Sequence, residues 1–203
     1  ASANLLTDAG FDTQSVSELS WSTSPWWGGN GAAGGSASGG GVWITGAKAN
    51  SPTHSSTLYL YGTDAYAWAV VGQTISSGIV GGASYTASAK LLRDASLASS
   101  EALFKIEWLN AGGTTLSTST GTVKFNDTYT ANVWNSVSEN FTANPSAVGA
   151  KYEIVFSRDA AGNDPGDIWA DDSNFDVIPE PTSMILLGSG LLGLFGISRK
   201  KRS

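Results

Sequence analysis

Ser84-Tyr85-Thr86-Ala87-Ser88-Ala89-Lys90-Leu91-Leu92-Arg93 decides the fold. Tyr85, Ala87, Ala89 and Leu91 alternate with Thr86, Ser88 and Lys90. A period of two belongs to a strand with one face on a core and the other in water. The alternation recurs over 103–109, where Lys105 and Glu107 separate Phe104, Ile106 and Trp108, and over 151–157, with Tyr152, Ile154 and Phe156. Working outward, strands are predicted at the start of 4–12 and over 16–23, 42–48, 58–61, 68–75 and 167–178. The last is read with Trp169, Asp171, Phe175 and Val177 on one side. Residues 25–41 read as a long loop, because so many glycines hold a regular element only at an entropic cost. Residues 96–101 read as one helical turn. Turn residues cluster at 76–82, 112–113 and 161–166. With no convincing amphipathic helix before the tail, the pattern predicts an all-β fold, an antiparallel β-sandwich of jelly-roll type.

The C-terminus is of a different kind. Pro179-Glu180-Pro181 precedes the apolar run 182–198, which ends in Arg199-Lys200-Lys201-Arg202. No charge falls between Glu180 and Arg199. A helix over that run rises about 25 Å, enough for a thin or compressed bilayer. In lipid its backbone can be satisfied only as a helix. The expected organisation is therefore a sandwich over 1–177, a Pro-rich joint at 178–181, one transmembrane α-helix over 182–198 and a basic cytoplasmic tail at 199–203. The four cations place the sandwich outside the cytoplasm. Ser189, Gly190, Gly193 and Gly196 fall near one stripe of that helix, where small residues let another helix approach. The alternative is a sorting helix that merely tolerates glycine.

Composition narrows the function. Charged residues are 14% of the chain and Cys is absent, which suits a β-rich exported protein with a core large enough to need no disulfide. Residues 1–180 hold seven bases against all seventeen acids, a net of −10. Nucleic acid is therefore a poor partner. Ala1-Ser2-Ala3 has the small residues found around a signal-peptidase site. His54 is the only His and sits in a Ser/Thr/Pro-rich loop, so it reads as a solvated residue and not as a general base. No nucleophile-elbow sequence occurs, and histidine-rich zinc sites are excluded by count. A glycosidase carboxylate pair stays open, although nothing in the sequence singles one out. The chain is thus expected to bind and not to catalyse.

Two resemblances add to this. Pro-Glu-Pro, the short apolar span and the terminal Arg/Lys cluster resemble the PEP-CTERM sorting signal of Gram-negative bacterial surface proteins. That likeness implies export, an inner-membrane anchor with the N-terminal domain in the periplasm, and sorting to the surface after tail processing. The opening Asn4-Leu5-Leu6 with Gly10-Phe11-Asp12, then Gly82-Ala83-Ser84-Tyr85-Thr86, then Trp134, Val137-Ser138 and Phe141-Thr142-Ala143, and finally Asp171-Asp172, together resemble carbohydrate-binding modules with the galactose-binding-like jelly roll. That resemblance implies a polysaccharide ligand. It also implies a structural calcium tying the first strand region to the last, with Asp12, Asp171 and Asp172 at the matching positions. Hard oxygen ligands suit calcium. Parity with Phe175 and Val177 favours Asp171 over Asp172. The alternative is that these carboxylates take up turn and strand-end hydrogen bonds.

Aromatic residues supply the candidate contacts. Trp108, Trp134 and Trp169 are expected in the core. Trp26 and Trp27, in the Gly-rich segment, are expected either to meet a ligand or partner or to cover an end of the sandwich. Tyr59, Tyr61, Tyr66 and Trp68 are close in sequence and form a candidate platform. Residues 159–167 read as an acidic surface loop or a second cation site. The competing reading of the whole chain is an accessory subunit of an inner-membrane photosynthetic or respiratory complex, with other membrane-protein subunits as partners.

Overall fold

The structure is a computed structural model that describes residues 4–15, 17–31, 39–46, 48–50, 53–61, 67–97, 100–158 and 166–179. Ten strands run in chain order: β1 (Trp26–Gly31), β2 (Gly39–Thr45), β3 (Ser55–Tyr61), β4 (Trp68–Ile75), β5 (Ser84–Arg93), β6 (Ser100–Leu109), β7 (Thr115–Thr120), β8 (Asn135–Thr142), β9 (Gly149–Arg158) and β10 (Asp167–Val177). They form two five-stranded sheets, β1-β4-β9-β6-β7 and β2-β3-β10-β5-β8. Every pairing is antiparallel. The expected all-β sandwich is the observed one.

The core lies between the sheets and is built from the alternating residues. Tyr85 stacks on Phe175 at 5.2 Å, and Tyr152 reaches the same ring from the other sheet at 5.9 Å. Trp26 and Phe104 pack around Tyr152 at 6.1 Å and 5.8 Å. The polar tips in this layer find partners, as burial requires. Tyr152 donates to the Ser88 carbonyl across the sheets (3.1 Å), and the Trp108 indole donates to the Ser119 hydroxyl (2.9 Å).

Several sequence expectations are corrected. Residues 25–41 are not one loop, since they supply β1 and the start of β2. Residues 4–12 form bends and turns that run beside the end of β10, with Leu5 N–H bonded to the Phe175 carbonyl at 3.0 Å. Among the described residues 17–23, the ladder contact is a single bridge, Glu18 to Trp43. At the end of 96–101, where the sequence predicts a helical turn, Ser100 and Glu101 belong to β6. In β10, register shifts between Asp171 and Asn174, and Asp172 sits at φ 45°. This bulge changes the parity of the strand. Ile168, Ala170 and Phe175 all face the core, whereas Trp169 and Asp171 face outward and do not share a side with Phe175 and Val177. Trp169 packs under Lys48, whose ammonium is 3.8 Å from the ring. Trp134 is half-buried just before β8. Among the described residues no helix is long and apolar enough to cross a membrane. The run 182–198, with Ser189, Gly190, Gly193 and Gly196, and the basic cluster 199–202 lie outside the described residues.

Candidate functional site

The outer face of the β1-β4-β9-β6-β7 sheet carries the most developed surface feature, a cleft of about 400 Å³. Strand register lays its lining out as a grid. One row across the sheet is Trp27, Gly72, Glu153, Lys105, and the next is Thr74, Lys151, Glu107. Val70 and Val155 form the apolar floor.

One wall is aromatic. Trp21 stacks on Trp27 at 5.3 Å with 28° between the planes, and meets Trp68 edge-on at 6.1 Å. Glycine makes this possible. A Cβ on Gly72 would stand 2.5 Å from Cζ2 of Trp27, and one on Gly29 would strike the Trp21 ring. The indoles therefore lie across strand positions that have no side chain. The segment before Trp21 is fixed to both sheets. Leu19 N–H bonds the Val42 carbonyl and Ile44 N–H bonds the Ser17 carbonyl, both at 2.9 Å, while Gly28 N–H bonds the Ser20 carbonyl at 3.1 Å. Trp21 nevertheless remains 61% exposed, so its free face is turned to solvent.

The opposite wall is charged and internally neutralised. Lys105 contacts Glu107 at 2.8 Å and Glu153 at 2.7 Å, and Lys151 contacts Glu107 at 2.9 Å. Thr115 donates to Glu107 at 3.1 Å. Burial pushes the Glu107 carboxyl up, but hydrogen bonds from Lys105 and Lys151 outweigh it and hold the group at about 2. Glu153 goes the other way. It is almost fully buried, and burial raises its carboxyl above the ordinary range in spite of Lys105. Burial lowers the Lys105 ammonium, and its bonds to the two glutamates more than restore it, for a net rise. Two carboxylates with pKa values pushed apart are the arrangement of acid–base pairs. Here both carboxylates share one lysine, Lys105. A flat aromatic wall facing oriented donors and acceptors is suited to a planar, hydroxyl-rich ligand.

The expected contact residues divide. Trp27 and Trp68 line the cleft. Trp26 does not, because adjacent strand residues face opposite ways. It is fully buried, 4.4 Å from Phe11, with its indole N–H donated to the Asp8 carbonyl at 2.7 Å. Of the expected platform, Tyr59 and Trp68 do not come together. Tyr59 is on β3, in the other sheet, lying over Gly41, while Trp68 is on β4. Tyr66 and the Tyr61 side chain lie outside the described residues. Sequence reasoning missed Trp21 and the four charged residues. Lys105, Glu107, Lys151 and Glu153 were visible as the wet faces of two strands, but only register brings them together.

The acidic residues converge on one loop. Asp12 Oδ1 accepts from the Thr53 hydroxyl (2.7 Å) and amide (3.1 Å) and from the His54 amide (3.3 Å). The Asn50 amide donates to Asp171 at 2.7 Å, and the Asn50 side chain donates to Asp172 at 2.5 Å. Asp171 is fully buried and also accepts the Asp172 amide at 2.7 Å. Among the described residues no three His, Cys, Asp or Glu side chains are grouped to hold a metal. Most of the 159–167 segment lies outside the described residues.

Residues 177–200 match the PEP-CTERM protein-sorting motif. No curated protein matches the chain significantly. The fold is shared with carbohydrate-binding modules. The xylan-binding domain CBM22-1 of Paenibacillus barcinonensis Xyn10C superposes with a TM-score of 0.55 at 15% identity, covering 89% of this chain and 98% of that one. TmCBM61, solved with β-1,4-galactotriose, gives 0.51 at 13% identity, covering 87% and 99%. The enzymatically active domain of bacteriophage CBA120 tailspike protein 4 gives 0.56 at 14% identity. There the match covers 86% of this chain but only 21% of the tailspike, so this chain spans about a fifth of that enzyme's length.

Proposed function

We propose that the chain is a non-catalytic glycan-binding module that takes a neutral polysaccharide on the outer face of the β1-β4-β9-β6-β7 sheet. The observation that carries this reading is the indole wall of Trp21, Trp27 and Trp68 set opposite the Lys105/Glu107/Lys151/Glu153 network. The free Trp21 face offers stacking on a sugar ring, and the network offers hydrogen bonds without net charge. The fold shared with xylan- and β-1,4-galactan-type binders supports the same ligand class. The sorting motif supports delivery to the extracytoplasmic side, with the tail held in the inner membrane and the sandwich in the periplasm or, after processing, at the surface.

Affinity electrophoresis against xylan, β-1,4-galactan and β-glucan tests this. Retardation by at least one neutral glycan is expected, with no release of reducing ends. Trp21→Ala weakens it at least tenfold, about 1.4 kcal/mol, while Trp43→Ala on the other sheet leaves it unchanged. No retardation by any glycan, or equal retardation of wild type and Trp21→Ala, defeats the assignment.

We propose also that a structural calcium binds where Asp12, Asp171 and Asp172 meet the 50–54 loop. Asp12 and the Asp171-Asp172 pair, two segments distant in sequence, present hard oxygens to the stretch that carries Asn50 and Thr53, although the three carboxylates are not grouped as a preassembled metal site. Their present hydrogen bonds are the competing explanation. A thermal midpoint that chelator leaves unchanged would decide for the hydrogen bonds.

A further inference from the structure

The two ends of the sandwich differ in character. Loops 76–83, 110–114 and 143–148 meet at the end where β10 stops. Backbone bonds join them: Gly82 N–H to the Ala143 carbonyl at 3.2 Å, Ala143 N–H to Ala83 at 2.9 Å, and Val148 N–H to Leu109 at 2.9 Å. None of these loop residues is charged. Val80 is 61% exposed and Val148 46%, and Leu116 is also exposed at the start of β7. Val80, Ala83, Val177, Ile178 and Pro179 line a shallow apolar cleft. Among the described residues, the loops at the other end carry Asp94 and Asp127. Their one base, Lys124, is paired with Glu101 at 2.9 Å.

Pro179 lies in the apolar cleft, and only Glu180 and Pro181 separate it from the uncharged run 182–198. Three residue steps span at most about 10 Å. A run that enters a bilayer therefore brings this end of the domain to the lipid surface. We propose that the partner of this apolar end is the bilayer itself. Val80, Leu116, Val148 and Ile178 sit at headgroup level and the strands stand upright on the membrane. Charge favours the same orientation, because anionic headgroups repel the acidic far end, whereas loops 76–83, 110–114 and 143–148 carry no charge. Acidic groups near this end are Asp176, which accepts from the Asn174 side chain at 3.1 Å, and Asp8, next to Thr7, whose amide donates to Gln73 at 2.7 Å. This proposal rests on the membrane reading of the tail and is independent of the glycan site.

The chain contains no Cys, so single-cysteine labelling is direct. Val80→Cys, Val148→Cys and, at the far end, Thr130→Cys are labelled with an environment-sensitive fluorophore. The full chain is reconstituted in phosphatidylcholine/phosphatidylglycerol vesicles and floated. The expected result is flotation, with the probes at 80 and 148 shifted to the blue and quenched by a shallow nitroxide lipid, and the probe at 130 unaffected. Flotation with unquenched probes at 80 and 148 overturns the docking and leaves the anchor standing. Failure to float overturns the anchor and the docking together. Shielding of the 80 and 148 probes from aqueous iodide without lipid quenching assigns the cleft to the tail or to a second copy, and also overturns the docking.

Discussion

Glu107→Gln tests the electrostatics of the cleft most directly. The carboxyl is held at about 2 against an ordinary 4.5 by Lys105 and Lys151. At about 1.4 kcal/mol per pH unit, the folded state gains roughly 3 kcal/mol from the ionised group. The two lysines are 31% and 35% exposed, so solvent screening reduces this to about 2 kcal/mol. The sign follows from a depressed acid. The stabilisation is complete above 4.5, where the unfolded group is also ionised, and it disappears as pH falls from 4.5 to about 2. Gln keeps the shape and loses the charge. Urea unfolding of wild type and variant from pH 7 to pH 2 should give curves that differ by about 2 kcal/mol at neutrality and converge near pH 2. Glu153 works in the opposite sense. Its carboxyl is raised, so the folded state takes up its proton first and gains stability as pH falls toward 4.5. The wild type should therefore show no loss from this network until below 4.5. A constant difference between the two proteins at every pH would refute the reasoning, because it would mean the substitution acts through packing and not through charge.

Trp26→Ala removes a fully buried indole that touches Phe11 and Tyr152, and should cost about 3–5 kcal/mol by chemical denaturation, whereas Trp21→Ala should cost under about 1 kcal/mol. Gly72→Ala should lower stability by about 1–3 kcal/mol, since its Cβ would meet the Trp27 ring at 2.5 Å and the Tyr152 carbonyl oxygen at 2.9 Å. The same variant should weaken glycan retention in its folded fraction, because Trp27 must tilt. Retention equal to wild type would separate the indole wall from binding.

The sandwich was legible because β5 and β6 alternate between buried and partly exposed residues along most of their length. β4 and β5 have the bounds read from the sequence, and β9 and β10 differ from theirs by one or two residues. β1 was hidden by its own composition. Trp26-Trp27-Gly28-Gly29-Asn30-Gly31 reads as a loop if glycine is charged only with its entropy. In the structure Gly28 faces Leu19 and Val42, and Gly29 lies under Trp21, so packing decides against local propensity. The adjacency of two tryptophans was a usable signal, since neighbours on a strand must face opposite ways. The charged wall carried no such signal. Lys105 and Glu153 are far apart in sequence, and only the β6–β9 register makes them partners. In β10 the bulge at Asp171–Asn174 switched sides in a strand that otherwise alternates.

The segment carrying Trp21 is bonded to β2 through Leu19 and to β1 through Ser20. A recognition side chain on a free loop gives up its motion each time it captures a ligand. Here that immobilisation happens during folding. At the proposed glycan site, each encounter with a polymer would meet a surface already in place, which would favour rapid repeated contact along a long chain.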